Sequence, residues 1–227
     1  MRGKLWVLAI LLATAALVPA AASAQVFTVG PGLGLAIPDN TYNGTTGTML
    51  CNTINVPSGG GGGDTVDNLS VQIRMNHTFV GDLTIKLVGP TGIITTLVSR
   101  PGVIETADDG NDTAGFGENS NLANNNPLTY IQTATDESEV MGRTPVDLAT
   151  GQTICLDGGT PCSYNPNRGA AVATQEDLST AYDGTSKVGN WQLCIGDSAG
   201  ADTGSLDGWT LNLFATTPVE LIDAAVD

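Results

Sequence analysis

The chain has 227 residues, a net charge of −15 at pH 7 and 14% charged residues. Such an acidic surface repels nucleic acid and anionic lipid, because both are bound through clusters of Lys and Arg. The composition therefore excludes nucleic-acid binding, and it leaves solubility or cation binding as roles for the abundant carboxylates.

The first 24 residues have the pattern of a secretory signal peptide. Arg2 and Lys4 form a positive start, residues 5–17 are an apolar run, and Ala22-Ser23-Ala24 is a small-residue cleavage site. The run is short for a membrane span of about 20 residues, which favours cleavage over anchoring. We therefore expect a secreted protein, extracellular or periplasmic, without membrane insertion after cleavage of residues 1–24.

The rest of the chain predicts an all-β fold of roughly one domain. Its 29 Gly and 11 Pro are typical of a fold with many turns, and sustained helical periodicity is scarce. Alternation of apolar and polar side chains indicates strands with one face in a core. These strands are predicted at residues 48–56, 69–77, 83–88, 93–98, 190–196 and 209–215.

The segment from residue 101 to 170 is polar and rich in Asn and Gly. An unstructured loop of that length is unusual in a compact domain, so we expect short strands within it, for example at 152–156. Further on, Thr174 as N-cap and Asp177 three residues later predict one short helix at 174–181.

Four cysteines in an exported chain predict two disulfides, for which three pairings exist. Cys155 and Cys162 flank a Gly-Gly-Thr-Pro turn, so a local bond between them is easy to close. Cys51 and Cys194 would then join the first predicted strand to a late one. Both fall out of phase with the apolar residues of their strands, which fits a bond on the surface of a sheet. A zinc site is disfavoured, because no C-x₂₋₄-C spacing occurs and the chain has one His.

Four segments follow each other in an order that resembles a known family. They are AIPDN at residues 36–40, HTFVGDL at 77–83 running on to LVGPTG at 87–92, YNP at 164–166 with LS at 178–179, and GNWQL at 189–193 with DTGSLDGWTL at 202–211. This series resembles the P domain (P/Homo B domain) that follows the catalytic domain of furin- and kexin-like proprotein convertases. The same module is attached to many secreted bacterial proteases.

The resemblance implies a jelly-roll-like β-sandwich, galactose-binding-like, of mostly antiparallel strands. It divides the chain into a signal peptide at 1–24, an N-terminal extension at 25–35, the P/Homo B domain at 36–216 and a C-terminal tail at 217–227. The middle of the domain departs from the family pattern. We expect the module to occur without a protease domain, because the predicted signal leads almost directly into it.

The resemblance also implies calcium near two of these motifs. Calcium takes six to eight hard oxygen ligands, which loops supply as carboxylates and carbonyls. The first candidate ligands are Asp82 and Asp197, and the second candidates are Asp109, Asp136, Asp202 and Asp207. The alternative for each Asp is a turn residue that hydrogen-bonds to its own backbone. For Asp207, which precedes a Gly, that alternative is favoured.

The residues do not indicate a catalytic site. A Ser-His-Asp triad would need His77, the only histidine, which is in phase with the apolar residues of its strand and is typical of a structural histidine. The motif H-E-x-x-H does not occur. Trp191 and Trp209 are also in phase with the apolar positions, which predicts core residues rather than ligand-stacking ones.

The sequence thus predicts a non-catalytic, calcium-stabilised P domain that acts as a binding or folding-support module associated with subtilisin-like serine proteolysis. Its expected partner is an exported protease or an extracellular protein or polymer. One alternative is an extracellular structural or adhesion β-sandwich. A second is a cryptic hydrolase, since the abundant Asp and Glu leave paired carboxylates open.

Overall fold

The structure is a computed structural model that describes residues 22–59, 63–103, 105, 116–143, 151–155, 162–166 and 177–216. Within these residues, eleven strands form two mostly antiparallel sheets, and one short α-helix accompanies them. The predicted all-β sandwich is therefore confirmed. No helix among the described residues has the length and apolar character needed to cross a membrane.

The strands are numbered in chain order. Their bounds are β1 Ala22–Val29, β2 Leu35–Ala36, β3 Leu50–Val56, β4 Asn68–His77, β5 Leu83–Val88, β6 Ile94–Ser99, β7 Leu128–Ile131, β8 Asp136–Glu137, β9 Ser163–Asn165, β10 Gly189–Asp197 and β11 Gly204–Thr216. The described part of the chain forms a seven-stranded sheet in the order β1-β11-β4-β7-β9-β8, with β2 also on β11, and a four-stranded sheet in the order β3-β10-β5-β6. The β7–β9 and β8–β9 pairs are parallel, and the other pairs are antiparallel.

All six strands predicted from alternation are present, as β3, β4, β5, β6, β10 and β11. The strand expected at 152–156 is wrong for its described part, where Thr153 makes only an isolated bridge to Asn121. Cys155 ends this stretch with a φ of +60°, which is incompatible with an extended strand. The helix α1 spans Leu178–Tyr182 and starts later than predicted, because Asp177 provides the N-cap and accepts from Thr180 N at 3.0 Å. The predicted cap Thr174 lies outside the described residues.

The first strand was not predicted. β1 begins at Ala22, within the segment predicted as a signal, and covers part of the predicted N-terminal extension. It pairs with β11 from Ala22↔Thr216 to Val29↔Trp209. Phe27 packs against the core from this strand, so residues of the predicted extension contribute to the sandwich. Residues 1–21 and the predicted tail lie outside the described part.

The core lies between the two sheets. Trp191 and Trp209 are among its largest fully buried side chains, as predicted. The indole Nε1 of Trp209 donates to Asn52 Oδ1 at 2.8 Å, which joins β11 of one sheet to β3 of the other. Trp191 Nε1 donates to the carbonyl of Lys187 at 2.9 Å, so both buried indole N–H groups are satisfied.

One disulfide joins the cysteines of β3 and β10. Cys51 and Cys194 are direct partners in the antiparallel register and form a bond, which confirms this pairing. The cysteines pack with Tyr42 and Met49, in a small cluster separate from the main core. Cys155 and Cys162 are thiols in the structure, so it does not form the second bond predicted from the sequence.

Candidate functional site

A tight turn at one end of the sandwich carries the first candidate ligand. After β4, residues Val80–Asp82 form a single 3₁₀ turn that leads directly into β5. Gly81 lies against Gly117, so closely that a Cβ on either residue would come within 2.7 Å of the other segment's backbone. Only glycine permits this approach, and it seats the segment around Gly117 on the turn that holds Asp82.

The only histidine of the chain is bound to the second candidate ligand. His77 Nε2 lies 3.1 Å from Asp197 Oδ2, and both side chains are almost completely buried. The other ring nitrogen, Nδ1, lies 2.8 Å from the carbonyl oxygen of Phe79. The second oxygen of Asp197 accepts from Ala199 N at 3.0 Å. The pair therefore links the end of β4 to the end of β10.

Asp82 lies beside this pair but is held differently. The residue is 4% exposed, and its backbone carbonyl accepts from Ser198 N at 3.0 Å. The pKa of Asp82 is raised from 3.8 to about 6. Burial is the largest cause, and the negative charges of Asp197 and Asp202 also contribute. His77 and Arg100 act in the opposite direction and lower it. Asp82 is thus a buried acid with charges of both signs nearby.

The loop between β10 and β11 closes over the same end. The carbonyl of Asp197 accepts from Thr41 N and Tyr42 N, both at 3.0 Å. Asp202 Oδ1 accepts from Thr78 Oγ1 at 2.8 Å, so this loop is tied to the residue after His77. The structure therefore brings Asp82, Asp197 and Asp202 to one end of the sandwich.

The remaining candidate ligands lie elsewhere or outside the described residues. Asp207 forms an ion pair with Arg74 at 3.7 Å and accepts from Gly32 N at 2.9 Å, in keeping with the structural alternative. Asp136 lies in β8, at the edge of the seven-stranded sheet and separated from β11 by β4, β7 and β9. Asp109 falls outside the described residues.

Two residues near the cluster were missed by the sequence reasoning. Arg100, almost fully buried, donates from Nε to the carbonyl of Gly81 at 3.3 Å and lowers the pKa of Asp82. Phe116, next to Gly117, is 89% exposed, the most exposed large hydrophobic side chain among the described residues. Neither carries a periodic signal, since both lie in connecting segments.

The histidine geometry excludes a Ser-His-Asp triad in this fold. A general base must take a proton from a nucleophile through a ring nitrogen within hydrogen-bond reach. Both nitrogens of His77 already have partners, and its side chain is 0% exposed. The sequence has no second histidine that could form such a triad.

The sequence matches the model of a known protein family. The family model described as the proprotein convertase P-domain matches residues 66–143 and 149–213, which is more than half of the chain. This chain belongs to the proprotein convertase P-domain family. In proteins of the protease family, the P domain is a non-catalytic accessory module.

The P domain is similar to a serine protease of Aeromonas sobria in complex with its chaperone ORF2, with 14% identity and a TM-score of 0.44. A second structure, the serine protease of Aeromonas sobria, has 16% identity and a TM-score of 0.39. The matches cover 87% and 89% of this chain, but only 28% of each solved chain. No curated protein matched the sequence.

The buried cluster joins the two P-domain motifs that carry the resemblance. His77 and Asp82 belong to the HTFVGDL segment, and Asp197 ends the strand that begins with GNWQL. The hydrogen bond of His77 to Asp197 therefore fixes these two motifs against each other. This geometry gives the motif residues a structural role whether or not a metal binds.

The residues fit a calcium ion only in part. Among the described residues, no group of three or more His, Cys, Asp or Glu is arranged to hold a metal. Asp197 already uses both carboxylate oxygens, for His77 and for Ala199 N. Asp82 differs, because its carboxylate is buried near the negative charges of Asp197 and Asp202 as well as the positive charge of Arg100.

Proposed function

We propose that this protein is a secreted, non-catalytic P domain that binds an exported subtilisin-like serine protease and supports its folding. The observation that carries the proposal is the match to the P-domain family over residues 66–143 and 149–213. The enclosed His77 supports a non-catalytic role, since it excludes a triad. The signal pattern at 1–24 and the Cys51–Cys194 bond support an oxidising location outside the cytoplasm.

The absence of intrinsic catalysis is directly testable. The purified protein should hydrolyse neither a panel of peptide substrates nor a panel of neutral glycans. It should also remain unlabelled by a fluorophosphonate probe, because such probes need an activated serine. Hydrolysis that disappears when a single Asp or Glu is replaced by its amide would overturn this part of the proposal and favour the cryptic hydrolase.

Phe116 supports a binding role at the end of the sandwich that holds the cluster. Its ring is exposed, whereas its neighbour Gly117 is held against Gly81 by close backbone packing. An aromatic side chain presented from an anchored segment suits an interface, because aromatic residues dominate the binding energy of such surfaces. We therefore place Phe116 in the contact with the protease.

Replacing Phe116 with Ala should weaken binding to a subtilisin-like catalytic domain by about tenfold or more, the usual scale for an aromatic hot spot. The unfolding midpoint should not change, since the ring packs little in the isolated protein. Isothermal titration calorimetry and thermal unfolding measure the two quantities. The matched control is Val26→Ala, which removes a 61% exposed apolar side chain from β1. Equal weakening by both variants would contradict a specific role for Phe116.

We also propose that Asp82 is a calcium ligand at this end of the domain. Bound calcium would compensate the buried charge of Asp82, and backbone carbonyls, Asp197 and water would be its further oxygen ligands. Two observations support the assignment: the burial of Asp82 and the nearby negative charges of Asp197 and Asp202. Calcium would then reinforce the contact between the two motifs.

A further inference from the structure

Cys155 and Cys162 meet at the side of the seven-stranded sheet that carries β9. Cys162 Sγ lies 3.9 Å from the carbonyl oxygen of Cys155, and a hydrogen bond links the two thiols. Backbone contacts hold both residues in place. Ile154 N donates to Asn121 O at 2.8 Å, and Cys162 O accepts from Thr129 N at the same distance. The two sulfurs are therefore brought together by the sheet, on either side of residues 156–161.

The two thiols differ in their access to solvent. Cys155 is buried, whereas Cys162 is exposed. Burial raises the pKa of the Cys155 thiol well above its ordinary value, and the hydrogen bond and charge of Cys162 raise it further. Cys155 therefore stays protonated at neutral pH. Cys162 is the sulfur that an external disulfide can reach, and Cys155 is placed to react second.

We propose that Cys155 and Cys162 form a reversible, redox-sensitive disulfide that opens and closes independently of the less accessible Cys51–Cys194 bond. The oxidant is a disulfide, either of low molecular weight or on a thiol oxidoreductase. The Cys162 thiolate attacks one sulfur of that disulfide, which forms a mixed disulfide and releases the first thiolate. Cys155 loses its proton and attacks Cys162 Sγ, which releases the second thiolate. Two protein thiols are oxidised, and one external disulfide is reduced to two thiols.

The second cysteine pair provides an internal reference. Cys194 is 0% exposed and packs with Tyr42 and Met49, and Cys51 is partly buried, so a reductant has restricted access to their bond. The bond at Cys162 is open to direct attack, because this residue is exposed. We therefore expect the two disulfides to respond to different concentrations of the same reductant.

The test uses the full exported protein equilibrated in mixtures of reduced and oxidised glutathione. The mixtures are quenched with an alkylating reagent and analysed by intact mass and peptide mapping. Cys155 and Cys162 should gain and lose their label together, at a glutathione ratio that leaves Cys51–Cys194 oxidised. Reduction of Cys51–Cys194 at the same or a milder ratio would overturn the proposal, and so would a Cys155–Cys162 pair that never becomes oxidised.

Two single variants test the order of attack. Cys155→Ser should trap one glutathione on Cys162, because the second thiol is missing. Cys162→Ser should leave the buried Cys155 without an adduct under the same conditions. The reverse pattern would contradict the assignment of Cys162 as the attacking sulfur. Circular dichroism of both variants shows whether they are folded, so an unfolded variant is not mistaken for a reactive one.

Discussion

Replacing Cys51 and Cys194 together by Ala is expected to lower the free energy of unfolding by about 5 kcal/mol in the chain-entropy model. The reason is the length of the loop that the bond closes, since the two cysteines are 143 residues apart in sequence. Without the bond, the unfolded chain regains this freedom. Urea unfolding of the oxidised protein and of the double variant, followed by tryptophan fluorescence, measures the difference.

The matched control is the double variant Cys155→Ser/Cys162→Ser. Cys155 and Cys162 are close in sequence, so their bond, when formed, contributes only about 2 kcal/mol on the same model. The ranking of the two variants is therefore more informative than either value alone. If the Cys155/Cys162 variant loses as much stability as the Cys51/Cys194 variant, loop length is not what gives the buried bond its effect.

Asp82→Asn is expected to stabilise the protein at pH 7.5 in chelator by about 2 kcal/mol after allowance for solvent screening, because it removes a charge that burial disfavours. The pKa of Asp82 is raised to about 6 in the folded state from 3.8. Between pH 3.8 and 6 the folded state binds more protons than the unfolded state. The contribution of protonated Asp82 to the free energy of unfolding is therefore fully present below pH 3.8 and is lost as the pH rises through 6. Unfolding of both proteins between pH 3 and 8 isolates this contribution as their difference.

Calcium should reverse the ranking of these two proteins. A single site adds about 2.7 kcal/mol at a calcium concentration of 100 times the dissociation constant. Wild type should gain this stability, and Asp82→Asn should gain much less, because the amide carries no charge. Asp207→Asn is the control, since its carboxylate pairs with Arg74 away from the cluster. An equal response of wild type and Asp82→Asn to calcium would remove Asp82 from the proposed site.

Much of the sandwich could be predicted from alternation. Residues such as Val71, Ile73 and Leu193 repeat at every second position, and a strand with one buried face requires that repeat. β8 and β9 were out of reach because two or three residues cannot display a period. β1 was missed for another reason, since its first residues fit a signal cleavage site equally well.

The sequence was enough to name candidate residues for the site, but not to show how their charges contact each other. The family resemblance named Asp82 and Asp197 as candidates, and the phase of His77 predicted a structural histidine. The sequence did not show that Asp197 is already bound by His77, because their hydrogen bond spans 120 residues. It also did not show that Asp82 is buried beside Asp197, Asp202 and Arg100. These properties arise from tertiary packing, which no local pattern records.

The most direct test of the proposed function is the refolding yield of a subtilisin-like catalytic domain expressed without its own P domain. The denatured catalytic domain is diluted into buffer with equimolar wild-type protein, with the Phe116→Ala variant or with serum albumin, and recovered peptidase activity is measured. We expect a severalfold higher yield with wild type than with albumin, and a yield near the albumin level with Phe116→Ala. Equal yields with wild type and albumin, together with no complex on size-exclusion chromatography, would contradict the proposal.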